Sequence, residues 1–313
     1  MKTLAVVLEA PERLALSRVE LAPPGDDDLV VDIEWSGIST GTEKLLWSGR
    51  MPAFPGMGYP LIPGYESVGR VSDAGKHANK RIGERVFVPG ARCFGSIRGL
   101  FGGAAARVVV PAARTVPIDD ALGEQGVLLA LAATAYHAVT APGSGLPQLI
   151  VGHGVLGRLL ARLTLALGGE APVVWEVDAR RASGAAGYSV LAPDADTRRD
   201  YRFAYDVSGD PAIVDRIAAR LAPRGEIVLA GFYAERVSFD FAPAFMREAR
   251  IRVAAEWQPQ DLVAVQALVA ERRLSLAGLI THRSEVADAP TAYRTAFTNP
   301  ECLKMVLDWR RLS

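Results

Sequence analysis

The chain has 313 residues, half of them hydrophobic, with 35 Lys+Arg against 35 Asp+Glu and a formal net charge of zero. That composition belongs to a globular protein, and the balance excludes the broad basic field that draws nucleic acid or anionic lipid. Two cysteines, Cys93 and Cys302, are too few for a disulfide framework or a cysteine-rich zinc site, which fits a reducing compartment.

The opening Met1-Lys-Thr-Leu-Ala-Val-Val-Leu8 has the start of a signal sequence, but Glu9, Pro11, Glu12 and Arg13 interrupt it, so it reads as a first β-strand. Further strands are expected at Leu14 to Val19, Leu29 to Ser36, Ser67 to Ser72, Arg85 to Val88 and Ala105 to Val110. Gly25-Asp26, Pro63-Gly64 and Pro89-Gly90 punctuate them. This makes a β-rich, barrel-like domain. No apolar stretch, including Val127 to Ala135, approaches the roughly 20 residues of a membrane span. A cytoplasmic protein without an integral membrane segment is expected.

From residue 126 helices alternate with apolar strands, the later ones at Tyr205 to Ser208, Glu226 to Ala230 and Ile251 to Ala255. After Trp257 a helical segment, Gln260 to Arg272, and a last apolar run, Leu303 to Trp309, are too little for a third core, so the tail returns to the first domain. The expected organisation is residues 1–125 with 257–313 as the β-rich domain and 126–256 as an α/β, Rossmann-type doubly wound domain.

The key stretch of the second domain runs from Gln148 to Gly168. An apolar strand, Leu149 to Val151, enters Gly152-His153-Gly154-Val155-Leu156-Gly157, and leucines then recur at helical spacing until Gly168. Gly152 makes the turn, Gly154 lets the backbone approach a pyrophosphate, and Gly157 lets helix and strand pack closely. The helix N-terminus favours the anion. A second apolar run, Pro172 to Glu176, ends on an acid at the distance where a carboxylate accepts from an adenosine ribose, which points to NAD. Arg180 and Arg181 come just after it and keep NADP open. His153 reads as the variable residue of the loop, and Ser208, Gly209 and Gly231 complete the expected cofactor contacts.

In the first domain, Trp47, Arg50, Met51, Phe54, Met57 and Tyr59 form a segment with two readings. It is a well-packed loop, or it is an apolar wall for a flat ligand, whose burial contributes about 25 cal/mol per Å². Lys44, Arg50 and Arg92 could meet a ligand carboxylate, or be solvated surface charges.

The layout resembles the medium-chain dehydrogenase/reductase superfamily over nearly the whole chain. Ser36-Gly-Ile-Ser-Thr-Gly-Thr-Glu43 is similar to its Cys-Gly-Ile-Cys-Gly-Thr-Asp segment, Pro63-Gly-Tyr-Glu-Ser-Val-Gly69 to its Gly-His-Glu segment, and Tyr205-Asp-Val-Ser-Gly209 and Leu279-Ile-Thr-His282 also match. The resemblance implies a GroES-like barrel in addition to the Rossmann domain. The zinc-dependent members hold a catalytic metal on Cys, His and Cys; the matching positions here are Ser39, Tyr65 and Ala130, which lack the N/S donors zinc prefers. No metal is expected. Within the superfamily, the continuous segment from Ser36 to Ser67 resembles the bacteriochlorophyllide-oxidising dehydrogenases of bacteriochlorophyll biosynthesis. That resemblance implies NAD-dependent oxidation of a 3-(1-hydroxyethyl) group to a 3-acetyl group on a magnesium bacteriochlorophyllide. A homodimer is left open. Two other readings are a zinc-free NADPH-dependent quinone or enoyl reductase and a non-catalytic tetrapyrrole carrier.

Without a metal, side chains must take the hydroxyl proton. Ser39, Thr42, Tyr65 and Glu66 fall at or beside the positions that surround metal and substrate in the zinc-dependent relatives. Tyr65 would need its pKa lowered, with Lys44 as the candidate cause, and Glu66 would need its own raised by burial. Tyr65 and Glu66 together are the expected base. His137, in Thr134-Ala-Tyr-His-Ala138, is either a rival relay or a helix histidine satisfied by hydrogen bonding.

Overall fold

In the computed structural model, which describes residues 1–311, the chain divides into two compact units. One comprises Met1–Ala130 with the chain from Leu279 onward; the other is Leu131–Gly278. The returning tail therefore starts at Leu279, later than the expected residue 257. The helix Pro259–Ala270 stays with the second unit because it buries Leu262, Val265 and Leu268, and because its Asp261 is bonded to His137.

The first unit is organised on the 11-residue strand Asp28–Ile38. Its apolar residues Leu29, Val30, Val31, Ile33, Trp35 and Ile38 are buried, while Asp32 and Glu34 are only partly so. It pairs antiparallel with Ser67–Ala74, Arg107–Pro111 and the C-terminal strand Met305–Asp308. His282–Glu285, Arg85–Val88 and Val116–Pro117 extend this seven-stranded sheet, and a second, four-stranded sheet joins Arg13–Glu20, Lys2–Ala10, Leu61–Ile62 and Arg98–Gly99. Register decides which distant residues meet. Ser36 pairs with Ser67 and Met305 with Ile38, so the chain leaving the central strand at Ser39, the Tyr65-Glu66 dipeptide and Lys304 are delivered to one place.

The second unit holds a six-stranded sheet in the order Ser189–Leu191, Val173–Trp175, Leu149–Val151, Tyr201–Asp206, Leu221–Leu229, Arg250–Val253, with every pairing parallel. In chain order that is 3-2-1-4-5-6, the doubly wound arrangement whose switch point lies between the first and fourth strands. The glycine loop leaves the first of these strands, and Ser208 and Gly209 come directly after the fourth. Crossover helices such as Val155–Ala166 bury Leu159, Leu160 and Leu163 against the sheet. This is the Rossmann architecture expected from the glycine pattern, and the first unit holds the GroES-like sheets expected of it.

Gly157 shows how tightly helix and strand meet. A Cβ there would collide with the Gly152 carbonyl oxygen. Replacing Gly157 with Ala should therefore cost about 1–3 kcal/mol as overpacking, read as a lower urea midpoint together with weaker dinucleotide binding. Wild-type stability in that variant would show that the turn yields freely and that the close approach is not required.

Candidate active site

Three hydroxyls gather in the first unit. Tyr65 donates to Ser39 Oγ at 2.7 Å, and Thr42, on the first turn of the helix Thr42–Ser48, also bonds the phenol oxygen. Beneath them lies a set of buried charged groups that only partly coincides with the sequence reading. Glu66 is 0% exposed, and its Oε2 accepts from Lys304 Nζ at 2.6 Å. Lys304 Nζ also donates to the Ile38 carbonyl at 3.2 Å. Gly37 makes room for this pair, since a Cβ there would run into Glu66 Oε2. Glu43, equally buried, accepts from the Ser39 amide at 3.1 Å and lies 2.9 Å from the Tyr293 hydroxyl.

The electrostatics correct the expected base. Burial, and after it the negative charge of Glu66, pushes the Tyr65 phenol up, where a resting base needed it lowered. Glu66 is itself pushed up by burial against the opposing pull of Lys304, but one oxygen is taken by that ammonium and neither reaches solvent. Glu66 holds Lys304. Glu43 is pushed up to about 8, by burial first, with the Glu66 charge adding to it and the Ser39 amide opposing it. A protonated Glu43 beside the Glu66–Lys304 pair leaves the cluster with no net charge, which is what a low-dielectric interior favours.

His137 is placed in the second unit, with Nδ1 2.8 Å from Asp261 Oδ2. That carboxylate also accepts from the Gln258 amide at 2.7 Å as part of a helix cap, so the ring is a satisfied helix histidine. The segment expected to form an apolar wall is mostly core. Trp47 lies on the helix Thr42–Ser48 with its ring 5.5 Å from Phe297, Met51 is buried, and Met57 and Tyr59 pack on the same cluster as Leu8, Leu46 and Leu61. Tyr59 also donates to the Leu46 carbonyl. Phe54 alone of those large side chains is exposed, at 37%, and Lys44, Arg50 and Arg92 lie on the surface. Sequence reasoning missed Phe101, equally exposed, whose ring meets Tyr65 edge to face at 5.4 Å. It also missed Lys304, Glu43 and Tyr293, each distant in sequence from its partner or read as part of a motif.

In the second unit, the helix Val155–Ala166 begins at Gly154 without a side-chain cap, and nothing lies within 4 Å of where a Gly154 Cβ would be. Free N–H groups and open space are what a diphosphate needs. Glu176 accepts from the His153 amide at 3.0 Å and the Asp178 amide at 2.9 Å, which fixes its carboxylate beside the loop. Arg180 is held by Asp178 through bonds of 2.8 and 2.9 Å. His153 is fully buried and hydrogen-bonded through both ring nitrogens, so it is far from an arbitrary loop residue. Beyond the fourth strand, Asp206 is bonded by Ser208 and Tyr233, and Gly209 takes a φ of +73°. These residues fit a dinucleotide, and the Glu176 carboxylate is fixed beside the loop.

The alcohol dehydrogenase GroES-like domain family matches residues 25–120. A 2-desacetyl-2-hydroxyethyl bacteriochlorophyllide A dehydrogenase from Cereibacter sphaeroides is 59% identical over 315 residues, covering 99% of each chain. The Rhodobacter capsulatus protein of the same name is 57% identical, again over 99% of both. The chain belongs to this dehydrogenase family. A short chain alcohol dehydrogenase from Escherichia coli CFT073, solved with NADH, superposes with a TM-score of 0.84 at 19% identity, covering 98% of this chain and 99% of that one. As a member of the dehydrogenase family, the chain carries a hydroxyl, a phenol and a methyl at Ser39, Tyr65 and Ala130. Among the described residues no group of three or more His, Cys, Asp or Glu is placed to hold a metal ion, and no helix is long and apolar enough to cross a membrane.

The raised Glu43 pKa has a sign that can be tested. Its stabilising share is fully present below the unfolded value of 4.5 and is lost as pH rises through about 8, because the folded state binds the extra proton. Glu43→Gln keeps an acceptor for the Ser39 amide and never ionises. Urea unfolding should show the variant gaining on the wild type between about pH 5 and about pH 8.5; a constant difference across that range would mean Glu43 is ionised in the fold.

Proposed function

We propose that the chain oxidises the 3-(1-hydroxyethyl) side chain of a bacteriochlorophyllide to the 3-acetyl group, with NAD as the hydride acceptor. The observation that carries this reading is the 59% identity, across 99% of both chains, to the Cereibacter sphaeroides dehydrogenase. The site chemistry supports it, since a secondary alcohol needs a proton acceptor and the first unit offers linked hydroxyls.

When bound, NAD supplies the acceptor for the hydride that leaves the carbinol carbon. The chain's own residues do the rest. The uncapped helix N-terminus after Gly154, with the Val155, Leu156 and Gly157 amides, holds the diphosphate, while Glu176 accepts from the ribose hydroxyls. Ser208, Gly209 and Gly231 border the other half of the cofactor at the ends of the fourth and fifth strands. Ser39 Oγ accepts the substrate hydroxyl; the Ser39 and Tyr65 hydroxyls, which at rest point from Tyr65 to Ser39, turn round so that the proton passes from Ser39 to Tyr65 to Thr42, and half-buried Thr42 releases it to water. A phenol with a raised pKa suits a relay, which never stores the charge. Lys304 and Glu66 hold the Ser39 and Tyr65 segments in place. Phe101 and Phe54 supply the exposed apolar surface for the macrocycle. A homodimer would form through the edge strand Arg250–Val253, where Val253 is 73% exposed and Phe241 and Phe245 add further exposed apolar surface; a monomer by sedimentation would remove that part.

Incubating the protein with NAD and 3-(1-hydroxyethyl) bacteriochlorophyllide a should give the red-shifted spectrum of an acetyl group joined to the ring's conjugation. Tyr65→Phe should lower kcat by about 10²-fold or more with NAD affinity kept, as losing a proton-transfer group does. Phe101→Ala should instead raise the pigment KM, with Trp47→Ala changing stability more than KM. No spectral change with either NAD or NADP would overturn the substrate, and near-normal kcat in Tyr65→Phe would overturn the relay.

A further inference from the structure

The chain from Val177 to Tyr188 comes directly after the carboxylate that meets the ribose, yet it contains one helical turn, Ala179–Arg181, and no strand. Side chains from the glycine loop and the first turn of the helix Val155–Ala166 hold it. Arg158 is 5% exposed; its Nε donates to the His153 carbonyl at 3.0 Å, and its Nη2 to the carbonyls of Arg181 and Ser183 at 3.0 and 2.8 Å. His153 Nδ1 lies 2.6 Å from the same Arg181 carbonyl, so the ring proton is assigned there and Nε2 accepts from the Tyr188 hydroxyl at 2.9 Å. The two rings also meet edge to face at 5.6 Å. From the loop side, Gly184 at φ +81° leaves space that a Cβ would take from Arg158, 2.5 Å from Nη1.

His153 thus grips two things at once. Its backbone amide donates to Glu176 Oε2, and its ring fixes the loop that Glu176 begins. Burying a guanidinium on carbonyl oxygens is expensive, and here its three partners are all backbone: two in the loop, one at His153 itself. What the arrangement secures is the position of residues 177–188.

We propose that His153, Arg158 and Tyr188 are positioning residues that set the preference for NAD over NADP. By clamping the loop they keep the Glu176 carboxylate where it accepts from a 2′-hydroxyl and repels a 2′-phosphate, and they keep Arg180 on Asp178. A released loop lets Glu176 wander and lets the Arg180 and Arg181 guanidinium groups reach a 2′-phosphate. The proposal rests on the reading that Glu176 meets the ribose.

Calorimetric titration of the purified protein with NADH and with NADPH tests it without any turnover. Arg158→Lys keeps the charge but not the three-carbonyl fork, and should weaken NADH binding about tenfold while the NADH-over-NADPH preference falls about fivefold or more. Tyr188→Phe, which removes one hydroxyl and keeps the ring, should move both quantities the same way by less, and carries the test if Arg158→Lys does not fold. In turnover, the KM for NAD should rise more than kcat falls. Wild-type preference in both variants, or equal weakening of the two nucleotides, would overturn the clamp. Glu176→Ala separates the two ideas: if it leaves the preference intact, the ribose reading fails, whereas if it collapses the preference and the clamp variants do not, only the clamp fails. Adding Arg158→Lys to Glu176→Ala should change the preference by less than Arg158→Lys does alone, the remainder being what the released Arg180 and Arg181 give to a 2′-phosphate.

Discussion

Lys304 Nζ and Glu66 Oε2, 2.6 Å apart and shut away from solvent, form the contact on which the first unit's site depends. The partners are 238 residues apart in sequence, so the bond staples the C-terminal strand to the segment that carries Tyr65. A second bond from the same ammonium reaches the Ile38 carbonyl, next to Ser39. Breaking such a pair from one side leaves an uncompensated buried charge and typically costs about 3–5 kcal/mol, whereas the intact pair adds little net stability. Its contribution is therefore geometric. It places the two hydroxyl-bearing segments against each other.

The lack of net charge in this buried cluster shapes the chemistry. A metal would acidify a bound alcohol by its own charge. Here burial, and after it the charge of Glu66, raises the Tyr65 pKa, so a resting phenolate is disfavoured. A charge that cannot be stored can still be passed on. In the proposed relay linked hydroxyls let each oxygen gain a proton as it loses one, and Tyr65 and Ser39 are already joined by a 2.7 Å bond. Glu43 accepts from the Ser39 amide and so fixes the backbone that carries the Ser39 hydroxyl.

Local patterns were legible in the sequence to the extent that local physics causes them. The glycine loop, the acid after the second strand and the alternation of helices and strands after residue 126 each arise from nearest-neighbour constraints, and the parallel order of the six strands agrees with them. Ser39, Thr42 and Tyr65 were also reached by motif, and the Tyr65 hydroxyl bonds both of the others. Lys304 was not legible, because in Leu303-Lys-Met-Val-Leu307 it has the pattern of a strand's solvent-facing lysine, and only the pairing of Met305 with Ile38 turns it inward. The Trp47 to Tyr59 segment was ambiguous for a related reason. Apolar residues read the same whether they face a ligand or a core, and here Leu8, Leu46 and Leu61 supply the core. The tail boundary failed because the burial of Leu262, Val265 and Leu268 against one unit or the other leaves no mark in the helix's own periodicity.

The same limit explains why a glycine fingerprint understates the site it marks. The pattern constrains the positions where a Cβ would collide, and Gly157 answers that constraint directly. It says nothing about the residues between, because their role depends on what packs behind the loop. His153 and Arg158 point away from the open space in front of Gly154 and into the fold, where their partners are backbone carbonyls that any sequence possesses. A side chain recognising backbone leaves no complementary residue type to search for. In the proposed clamp, specificity is carried by two positions of the loop and helix whose identity the fingerprint leaves open, while Glu176 occupies the place they hold for it.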